Sequence, residues 1–121
     1  MWELTKSFRF EAAHMLRGTT LRQISEEIHG HSYRAEVTLR GVPDAATGMV
    51  VDLGLLEQRL ETIRGRLDHK LLNKIDAIGV PTLEHLARFI FDEVQDTGHV
   101  VRVTVHRDSC GESCTYQGSS Q

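Results

Sequence analysis

The sequence predicts an α+β domain: an antiparallel sheet of four strands with two helices packed on one of its faces. Three observations carry this. Residues 2–12 and 29–40 alternate apolar and polar side chains with period two, the pattern of half-buried strands. Leu53, Leu56, Leu60, Ile63 and Leu67, and then Leu83, Leu86, Ala87, Ile90 and Val94, recur at helical spacing. The resulting order is strand, strand, helix, helix, strand and a short last strand, in which hairpins build the sheet and amphipathic helices cover it.

Taken in order, the first strand places Trp2, Leu4, Phe8, Phe10 and Ala12 on one face, with Lys6 as the exception, and His14 continues that phase if no bulge intervenes. Residues 15–28 have no period and read as a long loop, a length that in a small domain usually carries function. His29, His31, Tyr33, Ala35, Val37 and Leu39 share a face of the second strand. Gly41–Asp44 and Thr47–Gly48 are turn signals. Asp52 suits the N-cap of the first helix, which gives way at Asp68, and Thr82 suits that of the second. His99–Arg107 is a Val-rich strand, residues 110–113 read as a turn, and residues 115–117 as the final strand.

The 121 residues amount to a single domain, 1–121, long enough to bury a core without disulfides. Charged residues make up 26% and hydrophobic ones 40%, with a net charge of −3. No basic tract points to nucleic acid and no apolar run is long enough for a membrane. The N-terminus lacks the charged and apolar regions of a signal peptide, so a cytoplasmic location is expected, with Cys110 and Cys114 as free thiols. A sheet covered on one side leaves a face and two edges to manage, which suggests a homo-oligomer.

The chemistry centres on Glu26-Glu27-Ile28-His29-Gly30-His31. At i and i+2 of a strand, His29 and His31 point the same way, and His14 ends the strand before them. Three imidazoles facing one layer make the ligand set of a zinc site with an open fourth position; an isolated His-x-His also simply begins strands. Asp68-His69 suits a proton relay or, more plainly, a helix C-terminus. Glu26 and Glu27 are candidate bases or a solvated acidic loop. Asp108, at a strand end, can accept two hydrogen bonds from a cyclic amide–guanidine edge, or serve as a turn residue.

Phe8–His14, His29–Tyr33, Gly48–Asp52, Leu67–Asn73, Pro81–Glu84 and Cys110–Tyr116, in this order, resemble the 6-pyruvoyl-tetrahydropterin synthase/6-carboxy-tetrahydropterin synthase family. The resemblance implies the tunnelling fold, assembly into hexamers with sites between subunits, and zinc on His14, His29 and His31. It maps the family's Asp-His pair onto Asp68 and His69. The pterin-anchoring acid, usually Glu, falls on Asp108, and the pocket-lining threonine on Thr82. The catalytic Cys expected four residues before the first His of His-Gly-His is Ser25 here, and a hydroxyl is too weak an acid to replace it. Glu26, three residues before His29, instead matches a Glu-x-x-His-Gly-His branch that resembles dihydroneopterin-cleaving enzymes. The expected function is therefore a zinc-dependent lyase acting on the side chain of a reduced pterin, dihydroneopterin or its triphosphate. The alternative is a non-catalytic homologue that binds zinc and pterin.

Overall fold

The computed structural model describes residues 1–18 and 26–118. Its regular elements are β1 (Trp2–His14), β2 (His29–Gly41), α1 (Leu53–Leu67), β3 (Lys70–Leu71), α2 (Leu83–Glu93), β4 (Val100–Arg107) and β5 (Glu112–Gln117). The sheet order is β3-β1-β2-β4-β5. The four long strands are antiparallel to their neighbours, as the alternation predicts. The fifth, β3, is a two-residue strand parallel to Ala12–Ala13 of β1, where the sequence reading ends a helix and has no strand. β5 also begins three residues earlier than its residue types suggest, because His106 and Arg107 of β4 pair with Ser113 and Glu112.

Both helices start where their caps dictate. The Asp52 carboxylate accepts from the backbone N–H groups of Gly54 (2.8 Å) and Leu55 (3.2 Å), and the Thr82 hydroxyl accepts from that of His85 (3.2 Å). Leu56, Leu60, Ile63 and Leu67 of α1 and Leu83, Leu86, Ala87 and Ile90 of α2 are buried against Phe10, Tyr33, Ala35, Val37, Leu39, Val103 and Val105 of the sheet. Each buried Leu, Ile or Val side chain among them stabilises the fold by about 1.5–3 kcal/mol. Lys6, the exception in β1, is half-buried and reaches Glu57 of α1 at 3.6 Å, so its stem covers apolar surface while its ammonium stays in water. β1 has no bulge: its register with β2 is continuous from Trp2↔Gly41 to His14↔His29. That continuity carries His14, 1% exposed, onto the end of the core face.

The opposite face of the sheet is a polar ladder. Thr5 and Thr38 share a hydrogen bond of 2.8 Å, Ser32 donates to Glu11 at 2.6 Å, and His106 lies 2.6 Å from the Glu36 carboxylate. Glu3 accepts from Arg102 (2.6 Å) and Arg40 (2.8 Å), and these two guanidinium groups, Arg102 first, lower its carboxyl to about 2. A carboxyl held below its ordinary value of 4.5 stabilises the folded state above that pH, and the contribution is lost as the pH falls from there through about 2. Urea midpoints measured between those limits should therefore fall more steeply for the native chain than for Glu3→Gln. Equal slopes would show that the cluster has no net linkage.

Candidate active site

Three strand-end histidines meet at one corner of the sheet. His14 and His29 are paired across β1 and β2, and His31 lies opposite Ala12 on the same face. Their ring centroids stand 4.6, 4.9 and 4.8 Å apart, and one nitrogen from each lies within 4.8 Å of the others. His14 Nδ1–H donates to the Pro81 carbonyl at 2.9 Å, and His29 Nδ1–H donates to the Glu27 carbonyl at 2.8 Å. Those bonds fix both tautomers and leave both Nε2 atoms as acceptors, which face one another at 3.0 Å. In two neutral rings the lone pairs at that distance repel, and either a proton or a metal cation between them relieves the repulsion. His31 Nε2 is buried and has no protein partner among the described residues. Burial first, then the charge of Arg107 and the neighbouring rings, pushes the His31 imidazole down to about 4, while burial also lowers His14. Neutral imidazole is the form that binds metal.

The fit to a divalent metal of zinc's preferences follows from these observations. Metal–nitrogen distances of about 2.0–2.1 Å in a tetrahedral site put ligand nitrogens about 3.3 Å apart, so modest ring movements would close the triad. The backbone carbonyls of Pro81 and Glu27 serve as the outer hydrogen-bond partners that metal-ligating histidines require.

A cleft of about 570 Å³ opens beside the triad, lined by His31, Ser32, Glu11, His69, Lys70 and Ser109 among others. His69 enters it in an unusual way. It has φ 58°, the one left-handed non-glycine residue among those described. That conformation costs about 1–2 kcal/mol. It is held by its backbone N–H donating to the Glu11 carbonyl (2.6 Å) and by the Asp68 carboxylate 2.9 Å from its Nδ1. Asp68 also accepts from the Glu11 N–H (2.8 Å) and from Arg64 (3.2 Å), and the Glu11 bond is the main cause of its lowered carboxyl pKa. An ionised Asp68 orients the His69 ring with Nδ1–H inward, so that Nε2 is available to the cleft.

The other expected site residues are not among those lining this cleft. Thr82 follows Pro81 and caps α2 behind His14. Asp108 lies on the polar side of the sheet and is 52% exposed. It makes a two-pronged ion pair with Arg34 at 3.0 and 3.2 Å, which lowers its carboxyl pKa. Glu26 is exposed, one residue before the Glu27 that holds His29. Ser25 lies outside the described residues.

Two contributors carry no signal of their own in the sequence. Asn73 clasps the chain just after His14, accepting from Met15 N–H and donating to Met15 C=O, both at 2.9 Å. Pro81 supplies its carbonyl to His14, and nothing in the residue type announces that. Both fall inside segments that resemble the family, which is the signal that could have found them.

Comparison with known proteins places a chain of this α+β fold in a single family. The family model of 6-pyruvoyl tetrahydropterin synthase matches residues 3–119, and the chain belongs to that family. A 6-carboxy-5,6,7,8-tetrahydropterin synthase of Synechocystis sp. is 33% identical, over 96% of this chain and 93% of the relative. A dihydroneopterin monophosphate aldolase of Pyrococcus furiosus is also 33% identical, over 71% of this chain and 68% of its own. The structure of Caenorhabditis elegans 6-pyruvoyl tetrahydropterin synthase superposes with a TM-score of 0.82 at 27% identity, covering 98% of this chain and 96% of that one. The predicted tunnelling fold is thus the observed one, with β3 as an added edge strand. No helix among the described residues is long and apolar enough to cross a membrane.

Proposed function

We propose that this chain is a zinc-dependent lyase acting on the side chain of a reduced pterin, with dihydroneopterin or its triphosphate as substrate. The observation that carries the reading is the pair of Nε2 acceptors of His14 and His29 at 3.0 Å, with both Nδ1 atoms committed to carbonyls. Zinc, when bound by His14, His29 and His31, supplies a Lewis acid that makes side-chain hydroxyl and C–H groups more acidic. Asp68 fixes His69, and His69 Nε2 takes a proton from the side chain or returns one to it. Glu26 moves the other proton. In dihydroneopterin cleavage a side-chain hydroxyl loses its proton, the C1′–C2′ bond breaks, and a proton is delivered to the pterin-side carbon. The ring is held by Thr82 and by Asp108. Arg34 uses one lone pair of each Asp108 oxygen, and the second remains for the amino–amide edge of the ring. The working unit in this reading is a cytoplasmic homo-oligomer, a hexamer, in which Thr82 serves a neighbour's site.

The test is product analysis by mass spectrometry after incubating zinc-loaded protein separately with dihydroneopterin and its triphosphate. A 6-hydroxymethyl product is expected from dihydroneopterin. A carboxy or pyruvoyl product from the triphosphate would replace the cleavage with the synthase reaction. Pterin binding without any product would refute the lyase and leave a binding homologue.

A further inference from the structure

The proposed chemistry leaves one buried polar cluster unused. Val103 and Val105 of β4 point into the core, so Arg107, two residues on, shares their face rather than that of Asp108. The β2–β4 register pairs Ala35 with Val105, and its continuation sets Tyr33 beside Arg107. Tyr33 is 1% exposed, and its ring centroid lies 5.8 Å from that of His31. The Arg107 side chain is 15% exposed, and one end of its guanidinium binds Glu112 at 2.8 Å. Its Nε and the Tyr33 hydroxyl are both shielded from solvent; the guanidinium stands close enough to favour the Tyr33 oxygen, yet neither atom completes a well-formed hydrogen bond among the described residues.

A buried donor left unpaired costs about 1–3 kcal/mol; even where the Tyr33 oxygen accepts from Arg107, the Tyr33 O–H still lacks an acceptor and the guanidinium lacks a second one. One is cationic, and both adjoin a ring of the metal triad. The complementary group is an anionic oxygen, with a charge-assisted bond from Arg107 and a neutral one from Tyr33. We propose that Arg107 and Tyr33 form an anion seat beside the three histidines, which takes a negatively charged oxygen, such as a carboxylate, on the C6 side chain of the pterin. The inference rests on the pterin reading above and adds a charge preference to it: of the two proposed substrates it favours the anionic triphosphate over dihydroneopterin. Arg107 would be a specificity-determining residue, since a neutral side chain leaves its Nε–H unpaired.

The experiment compares 6-carboxypterin with 6-hydroxymethylpterin by fluorescence titration of zinc-free protein, which removes the metal's own attraction for carboxylate. The native chain should bind the carboxylate at least about tenfold more tightly, a typical margin for one charge-assisted hydrogen bond. Arg107→Met should bring the ratio to near one while leaving the hydroxymethyl affinity in place. Should Arg107→Met not fold, Arg107→Lys keeps the charge but removes the Nε–H, and a loss of most of the preference is expected. No preference in the native chain, or a full preference in either variant, overturns the seat and leaves the pterin reading standing. If neither pterin binds native protein, with or without zinc, both fail.

Discussion

His31→Ala should yield a folded protein that no longer retains zinc. His31 contributes a ring whose Nε2 is buried and unpaired among the described residues, so its removal deletes an unsatisfied polar atom along with some packing. The stacked Phe10 and Tyr33 rings, 4.9 Å apart, and the helices beneath them are untouched. The cost to the metal-free fold is therefore small. The expected cost to the metal is large, because changes to outer-shell partners alone lose about 10–100-fold in affinity, and in the proposed site this change removes one of three direct ligands. Zinc measured by atomic absorption should drop from about one per chain to below a tenth of that, as a three-ligand site would require. Zinc at about 1,000 times its dissociation constant should stabilise the native chain by about 4 kcal/mol and leave the variant unmoved. A variant that keeps stoichiometric zinc would remove His31 from the ligand set.

The second large effect is expected from Glu26→Gln, with turnover lower by about 10²–10⁴-fold, the range for loss of a general base. Gln keeps the size of the side chain and its hydrogen bonding but cannot take up a proton. The neighbouring carbonyl of Glu27, which holds His29 at 2.8 Å, belongs to the backbone and is preserved, so zinc content should not change. The discriminating pattern is intact zinc, intact pterin binding and a fall confined to kcat. Unchanged turnover would remove Glu26 from the mechanism.

Much of this architecture is local information. The alternation in residues 29–40 is a property of one strand, and β2 extends over His29–Gly41 with the predicted residues inward. The caps Asp52 and Thr82 act on backbone groups two or three residues away, so their chemistry is legible at once. The clustering of His14, His29 and His31 required one added condition, that β1 carry no bulge, and the continuous register meets it. Asp68 and His69 were legible as a pair, whereas their placement was not. It depends on the Glu11 backbone 57 residues away and on a two-residue parallel strand too short to leave a periodic signal.

The sequence by itself determined the fold class, the faces of the strands, the helix starts and the shared face of His29 and His31, because each follows from side-chain period or from contacts within a few residues, whereas the joining of His14 to them needed the continuous β1–β2 register. Only the tertiary structure decided which carbonyls set the tautomers of His14 and His29, and that His69 sits left-handed over the cleft. It also decided that Asp108 pairs with Arg34, while Arg107 turns inward beside Tyr33. These depend on partners brought together from distant parts of the chain, and adjacent residues at a strand end take opposite faces by a register that pairing alone can set.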